Sequence, residues 1–573
     1  MKRYLKNITV SALAAASLSF SSCIKETFPT NGATAGQVAQ STTALQAMVN
    51  AIPTQLVLYG QNYAQAWDFG YPAINVSLTS MTGDMVVAGN SGYDWFANWM
   101  TNVALSEDYV TGYQFWYNYY SWIKSCNDVI STLSAGAPGG MKGGRKTPLG
   151  GAVAEEDMND EQKAYLGIAL AFRAQFYLDL VRLFEAKECT GSQVKNYTIP
   201  ENIKGLACCI VTENTTEEQS KSNPRATVDE VYDQVIFPDL ERAERMLADY
   251  TRTVKTMPDL SVVYGISARA WLERGSAGVD GAFAKAAEYA RKAIDQSNYT
   301  PLTQEQWEDP TTGFNSATSN SAWMWCTSQT SEQVHNLYSF MAHMSGEEQW
   351  TNYGGKGVGR AINSKLYALI SDDDFRKHSW LDPGLFDYYE YKSCRPDYKE
   401  FFDPNSAAST KLPGSLVAIK FRPGQGNYTT YTVGNAVDHP LMRVEEMYLI
   451  EAEATAASNL SNGIALLNSF MQTYRYASYN CQSADFKAFQ NEIGLQARIE
   501  FWGEGIPFWY KKRLALGIDL ANSNCKEDSY RFVVDGRAPW WNCQIPRTEW
   551  SSNPALIGMN NPDPSDTVEN VIE

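Results

Sequence analysis

Histidine is scarce in this chain: four residues in 573, His335, His343, His378 and His439, none in an HExxH pattern. The ten cysteines include no CxxC pair. Without either spacing there is no motif for a zinc centre, and no metal or cofactor is expected. Basic residues are in deficit, 47 against 64 acidic, for a formal net charge of −17. Phosphate backbones are bound through a Lys/Arg surplus, so the charge argues against nucleic acid as a partner. After the N-terminal region no run of about 18 apolar residues occurs, so nothing further along is expected to span a membrane. Extended low-complexity tracts are also missing. With 44% hydrophobic and 19% charged residues, the composition is that of a folded protein, long enough for more than one subdomain.

What is present begins with a secretory signal. Lys2, Arg3 and Lys6 form a basic start, and Ile8 to Phe20 an apolar stretch too short for a permanent span. Ser21, Ser22 and then Cys23 follow. Small residues before a cysteine are the pattern of bacterial lipoproteins, with Cys23 as the lipidated residue of an anchored, non-spanning protein. Phe20 stands where such signals usually carry Leu. The other nine cysteines are an odd set, scattered apart from Cys208–Cys209, and read as small buried hydrophobes rather than a disulfide framework.

Residues 23–40 are rich in Thr, Gly, Gln and Ala, as suits a tether. Helical periodicity then sets in. Phe115, Tyr119, Trp122, Ile123, Cys126, Ile130 and Leu133 make one stripe. After a Gly-, Pro- and Lys-rich loop (135–151), Tyr165, Ile168, Ala169, Phe172, Phe176, Leu180 and Leu183 make another, with Asp157 and Asp160 favouring its N-terminus. Thr227 is a plausible N-cap ahead of Val231, Val235, Leu240, Ala243 and Leu247. Helices over 262–274 and 282–296 carry Gly265, Ala268, Ala286 and Ala290 where they would face each other. Such pairs suggest tetratricopeptide-like repeats with a degenerate signature. From about 301 to 435 the helical signal fades into Gly, Pro, Asn, Ser and aromatic residues. Helices are expected again over 440–457, 461–474 and 484–502. The fold class is therefore all-α, a helix-pair repeat scaffold with a long loop-rich insertion. Its expected divisions are signal 1–22, tether 23–40, scaffold 41–300, loop-rich ligand-facing region 301–435, and C-terminal helices with a closing segment 436–573.

Several phrases spell a family. They are Trp116–Tyr119–Tyr120 with Ile123 and Asn127, "FRAQFYLDLVRLF" at 172–184 and "NPRATVDEVYDQVIFPDLERA" at 223–243. They continue with "RVEEMYLIEAEA" at 443–454, "ARIEFWGEGIPFWYKKRL" at 497–514 and "WNCQIPRTEWSSNPALIGMNNP" at 541–562. In this order they resemble the SusD/RagB lipoproteins of Bacteroidetes. The family's Glu-Arg-Arg run is reduced to Arg498 and Glu500 before Glu504–Gly505, and its Pro-Ile-Pro becomes Gln544–Ile545–Pro546. The resemblance implies a lipid-anchored, surface-exposed outer-membrane protein that is not an enzyme. It would bind an oligosaccharide, or alternatively a peptide, and deliver it to a SusC-like TonB-dependent transporter.

The residues agree with a binding role. Glu445, Glu446, Glu451 and Glu453 lie within one helix, which cannot place two carboxylates on either side of a sugar, so an ion-pair network is the expected role. "GGMKGGRKT" (139–147) and "GGKGVGR" (354–360) lack the preceding strand of a phosphate or dinucleotide loop. The acidic run 371–374 lacks the Gly and distal Glu of a calcium loop and suggests an exposed turn, with Asp374 near Arg376. Aromatics with a polar handle dominate: 33 Tyr and 16 Trp against 23 Phe. Two clusters fall outside any helical stripe. Tyr93, Trp95, Asn98 and Trp99 follow Asp84 in a Gly/Ser/Asn-rich loop, and Trp350 and Tyr353 precede the Gly-rich loop. These seven are the candidate ligand-binding residues, because sugars offer C–H faces to rings and hydroxyls to Asp and Asn.

Overall fold

A computed structural model describes residues 41–62, 64–87, 96, 105–109, 112–133, 154–296, 298–351, 359–398, 400, 416–525 and 531–571. The principal helices before the loop-rich region are α1 (Thr42–Gln55), α2 (Tyr71–Met81), α3 (Tyr113–Leu133), α4 (Asp160–Phe184), α5 (Phe237–Met246), α6 (Leu260–Ser276) and α7 (Ala282–Asp295). After the short α8 (Phe340–Met344) come α9 (Val444–Ala456), α10 (Leu460–Tyr474), α11 (Phe486–Glu500) and α12 (Ile506–Leu514). Three two-stranded antiparallel ribbons accompany them: β1 (Met85–Val87) with β3 (Arg360–Ile362), β2 (Trp323–Ser328) with β4 (Asp438–Arg443), and β5 (Ile518–Asp519) with β6 (Val533–Val534).

The helices stack in series. α1 lies on α3, α3 on α4, α4 on α5, α5 on α6, α6 on α7, α7 on α9 and α9 on α10. This is the expected all-α, tetratricopeptide-like scaffold. Every residue of the α3 stripe is buried. At α4 the burial is wider than one stripe: from Ala164 to Phe184 every residue is buried, because neighbours cover all sides of the helix. It is long and apolar enough to cross a membrane, yet beyond its first turn it is enclosed by protein. Its polar residues are paired. Arg173 grips Asp239 at 2.7 and 2.8 Å, and Gln175 donates to Asp179. Asn159 and Gln162 close a reciprocal cap at the α4 N-terminus, and Thr227 with Glu230 does the same for the following unit.

Three expectations are corrected. Gly265 does not face α7: a Cβ there would collide with Met442, so this small position admits β4 to the helix stack. Residues 440–443 are strand rather than helix, the turn into α9 beginning at Val444. Asp374 and Arg376 do pair, but the pair is buried rather than in an exposed turn, with Arg376 also reaching Gln496 and Glu500. The nine described cysteines are free, and Cys189 and Cys394 alone among them are half-buried.

The loop-rich region is locked to the helices by a buried ionic cluster. Arg376, Lys420, Arg443 and Arg475 meet Asp374, Glu445, Glu500 and Glu504, all essentially without solvent access. Glu500 alone accepts from three guanidinium groups at 2.7–3.0 Å. Burial would raise its pKa, but those three charges hold it well below the carboxylate range. Glu500→Gln should leave three buried arginines under-compensated and cost about 3–5 kcal/mol in urea unfolding, a loss typical of breaking a buried pair. His439 is buried beside Asn75, at 2.9 Å, and burial reinforced by Lys420 lowers its pKa to about 3. The folded state thus keeps the ring neutral where the unfolded chain takes up a proton. The stability it contributes is complete above about pH 6.5 and falls with pH toward 3, by up to about 1.4 kcal/mol per unit. Unfolding midpoints from pH 7 to 4 should fall less steeply in His439→Gln than in the parent.

Candidate ligand-binding face

The face begins with the loop after α1. Asp68 accepts from the backbone N–H groups of Asn62 and Ala64, its own carbonyl accepts from Gly60, and Tyr71 N–H closes onto Leu56 O at 2.7 Å. Gly70 has φ +79°, and a Cβ there would strike the Leu56 carbonyl, so the close approach requires glycine. The folded loop presents Tyr59, whose hydroxyl donates to Ala64 O at 2.6 Å. Its ring stacks on Tyr338 at 4.4 Å and lies 4.8 Å from His335. Ser339 Oγ and Asn435 Nδ2 both donate to the His335 carbonyl, and Gln329 donates to Val57 O. Tyr59 and Tyr338 are half-buried and His335 is exposed. Burial, with Tyr338 adjoining, raises the Tyr59 pKa, so its hydroxyl stays protonated.

Beneath this platform lies a second aromatic layer. Phe69 stacks on His343 at 5.6 Å, Phe96 meets the same imidazole edge-on at 4.8 Å, and Arg360 lies 6.0 Å over Phe96. Burial and the Arg360 charge keep His343 neutral, its pKa well below the usual value. Trp350 is half-buried, its ring edge sealed against Gly434, a position that tolerates no side chain. Behind it Gln349 N–H bonds Tyr428 O, and Arg395 covers the Tyr428 ring at 4.7 Å. Buried Glu347 fixes this corner, accepting from Arg422 at 2.6 Å and Ser393 at 2.6 Å.

The expected site residues fare as follows. Tyr93, Trp95, Asn98, Trp99 and Tyr353 lie outside the described residues, as does Cys23. Trp350 is on the face. Asp84 is 2% exposed, and Arg498 (2.6 and 2.9 Å) and Lys511 (3.2 Å) take up its carboxylate. Burial alone would raise the Asp84 pKa, but those cations outweigh it and hold it low. The Asp84 carbonyl accepts from Trp502 Nε1 at 3.0 Å and Asn363 N–H at 2.9 Å. Asp84 thus anchors the start of β1. In the β1–β3 ribbon Val87 pairs with Arg360, so the chain running on to 93–99 and the chain arriving from 350–353 attach to the same ribbon end. The two clusters are some 250 residues apart in sequence. Phe96 places part of the first beside His343, in the segment leading to the second.

Sequence reasoning missed Tyr59, His335 and Tyr338. The signal was available: residues 57–70 read VLYGQNYAQAWDFG, the same aromatic and Gly/Asn mixture used to choose the other two clusters.

The fold is that of solved SusD-like structures. Residues 37–272 match the SusD-like family described as starch-binding and associating with the outer membrane. A SusD-like carbohydrate-binding protein of Bacteroides vulgatus ATCC 8482 is 21% identical, with a TM-score of 0.67 over 91% of this chain and 98% of its own. A SusD superfamily protein of Bacteroides thetaiotaomicron VPI-5482 is 15% identical, with a TM-score of 0.62 over 91% of this chain and 100% of its own. Surface glycan-binding protein A of Bacteroides thetaiotaomicron, in complex with laminarihexaose, is 15% identical, with a TM-score of 0.59 over 91% of this chain and 99% of its own. No curated protein matches the sequence. The SusD/RagB resemblance read from the motifs therefore holds, and with it the helical-repeat fold.

Asp84→Asn should leave Arg498 and Lys511 facing each other without a counter-charge and lower the unfolding free energy by about 3–5 kcal/mol. An unchanged melting temperature with altered ligand affinity would instead make Asp84 a direct ligand contact.

Proposed function

We propose that the protein is a non-catalytic, lipid-anchored binder of an oligosaccharide at the outer surface of the outer membrane, handing its cargo to a SusC-like TonB-dependent transporter. The observation that carries the glycan reading is the convergence of aromatic segments on one face. Tyr59 stacks on Tyr338 beside His335, Trp350 packs on Gly434 next to the Asn435 that bonds His335, and Phe96 packs against His343 and Arg360, the residue paired with Val87 at the ribbon end. The match of residues 37–272 to the family model described as starch-binding, and a structurally similar protein held with laminarihexaose, support it. Anchoring rests on Cys23 and its signal, and delivery rests on the family resemblance. The glutamates of α9 favour binding over hydrolysis, being engaged structurally: Glu446 holds Arg269, Glu451 holds Arg291 and Glu453 holds Arg513.

One ring contact contributes about 1 kcal/mol, and micromolar capture needs about 8 kcal/mol, so several platforms act together with polar groups between them. Tyr93, Trp95, Asn98, Trp99 and Tyr353 are assigned to the same face on this reading. The rival is peptide binding, since helix-pair scaffolds with loop-rich faces also hold peptides. Titration calorimetry against oligosaccharide and peptide panels separates the two. A neutral oligosaccharide should bind saturably, with Tyr338→Ala and Trp350→Ala each weakening it about fivefold, about 1 kcal/mol. Saturable peptide binding with no glycan response would replace the proposal by its rival, and hydrolysis of any panel glycan would remove the non-catalytic assignment.

A further inference from the structure

Away from the aromatic face, a cavity of about 420 Å³ opens in the repeat scaffold between the turn at 250–255, the start of α6 and the end of α7. That size lies at the small end of ligand pockets, about 300–1,000 Å³. Its charge is unbalanced. Arg252 and Lys255 both line it, against one carboxylate, Asp259. Asp259 is already committed: it accepts from Arg252 Nε at 3.0 Å, from Ser261 Oγ at 2.6 Å, and caps α6 through Val262 N–H. Arg252 is likewise spent on Tyr299 and the Met257 and Met324 carbonyls. Lys255 donates to Ala317 O at 2.8 Å and Asn320 O at 3.0 Å and lies 5.5 Å from the Tyr299 ring, and its third N–H has no hydrogen-bond acceptor among the described residues. Burial and the Arg252 charge hold its pKa below that of an ordinary lysine, a cost that an incoming anion would relieve.

The surroundings indicate what carries that anion. Tyr250 offers a half-buried ring, and exposed Thr251, Thr253 and Gln296 offer hydroxyl and amide groups. This is the mixture of ring and polar groups that suits a sugar. Through Tyr250, Thr251 and Thr253 the cavity continues into a wider groove of about 700 Å³. That groove is rimmed by Glu155, Glu156, Asp160, Glu161 and Asp249 against Lys163 and Arg245, so its lining is acidic on balance. A chain carrying a negative charge on every residue would be repelled there, whereas a neutral chain would not.

We propose that this cavity is a second carbohydrate subsite, which takes one carboxylate-bearing sugar residue at the end of an otherwise neutral glycan, with Lys255 as its carboxylate partner. The proposal takes from the preceding section only that the cargo is a glycan. The test is calorimetry or saturation-transfer NMR on the full chain with methyl glucuronide, methyl glucoside and polygalacturonate. Methyl glucuronide should bind saturably, methyl glucoside should not bind the cavity, and polygalacturonate should bind more weakly per residue than the monosaccharide. Lys255→Met keeps the buried stem and should weaken glucuronide about tenfold or more, the loss expected from one charge-assisted hydrogen bond. Gln296→Ala, at an exposed position, should weaken it without changing the melting temperature. Trp350→Ala should leave it unchanged. No glucuronide binding, binding indifferent to both cavity variants, or binding lost in Trp350→Ala would overturn the proposal. Neutral-glycan binding that survives such a failure would leave the aromatic face intact and remove the second subsite alone.

Discussion

The loops that carry the candidate face depend on charges that never see solvent. Glu500 sits where Arg376, Arg443 and Arg475 converge, and Glu504 shares Arg443 with Lys420. Removing such groups from water is expensive, and the cost is met only when every partner is in place. Here the positive and negative side chains match, and spare N–H groups find the carbonyls of Leu302, Glu500 and Trp502. The cluster joins residues 302, 374–376 and 420 of the loop-rich region to β4, α9, the end of α10 and α11. Loops with little regular structure of their own are thereby tied to the helical framework.

From that cluster the constraint passes outward. Glu504 and Trp502 follow directly on Glu500, and Trp502 donates to the carbonyl of Asp84, whose carboxylate Arg498 and Lys511 hold. Asp84 opens β1, β1 fixes β3, and the ribbon sets where the two aromatic segments begin. On the other side α2, packed against α12, carries the Gly70–Leu56 contact that shapes the Tyr59 loop. A rigid helical wall and one ionic cluster thus place side chains drawn from positions 59, 335–338 and 350.

The family phrases were legible in the sequence because they are the residues of this framework, and the structure shows them gripping one another. Arg443 of one phrase meets Glu500 and Glu504 of the next. Arg173 binds Asn127 and Asp239, uniting three phrases. Arg225 donates to the Phe184 carbonyl and to Asn561, tying the helical core to the closing segment. Charged residues at fixed places in ordered phrases can be seen in a sequence, although their burial cannot. The face was harder to read. Asp84 stood beside an aromatic loop and resembled a sugar contact, whereas its partners lie more than 400 residues away. Tyr59 and Tyr338 look like ordinary loop tyrosines until they are found stacked.

The sequence by itself determined the helical periodicity, the signal-like pattern ahead of Cys23, the acidic balance and the order of the framework phrases. Each is a local pattern, set by neighbours within a few turns of chain or by composition. Tertiary structure alone decided that α4 is buried on every side, that Gly265 serves β4, that Asp84 is an anchor, and which aromatics share a face. Those outcomes depend on long-range packing and on desolvated charge pairs, whose energies exist only once distant segments meet.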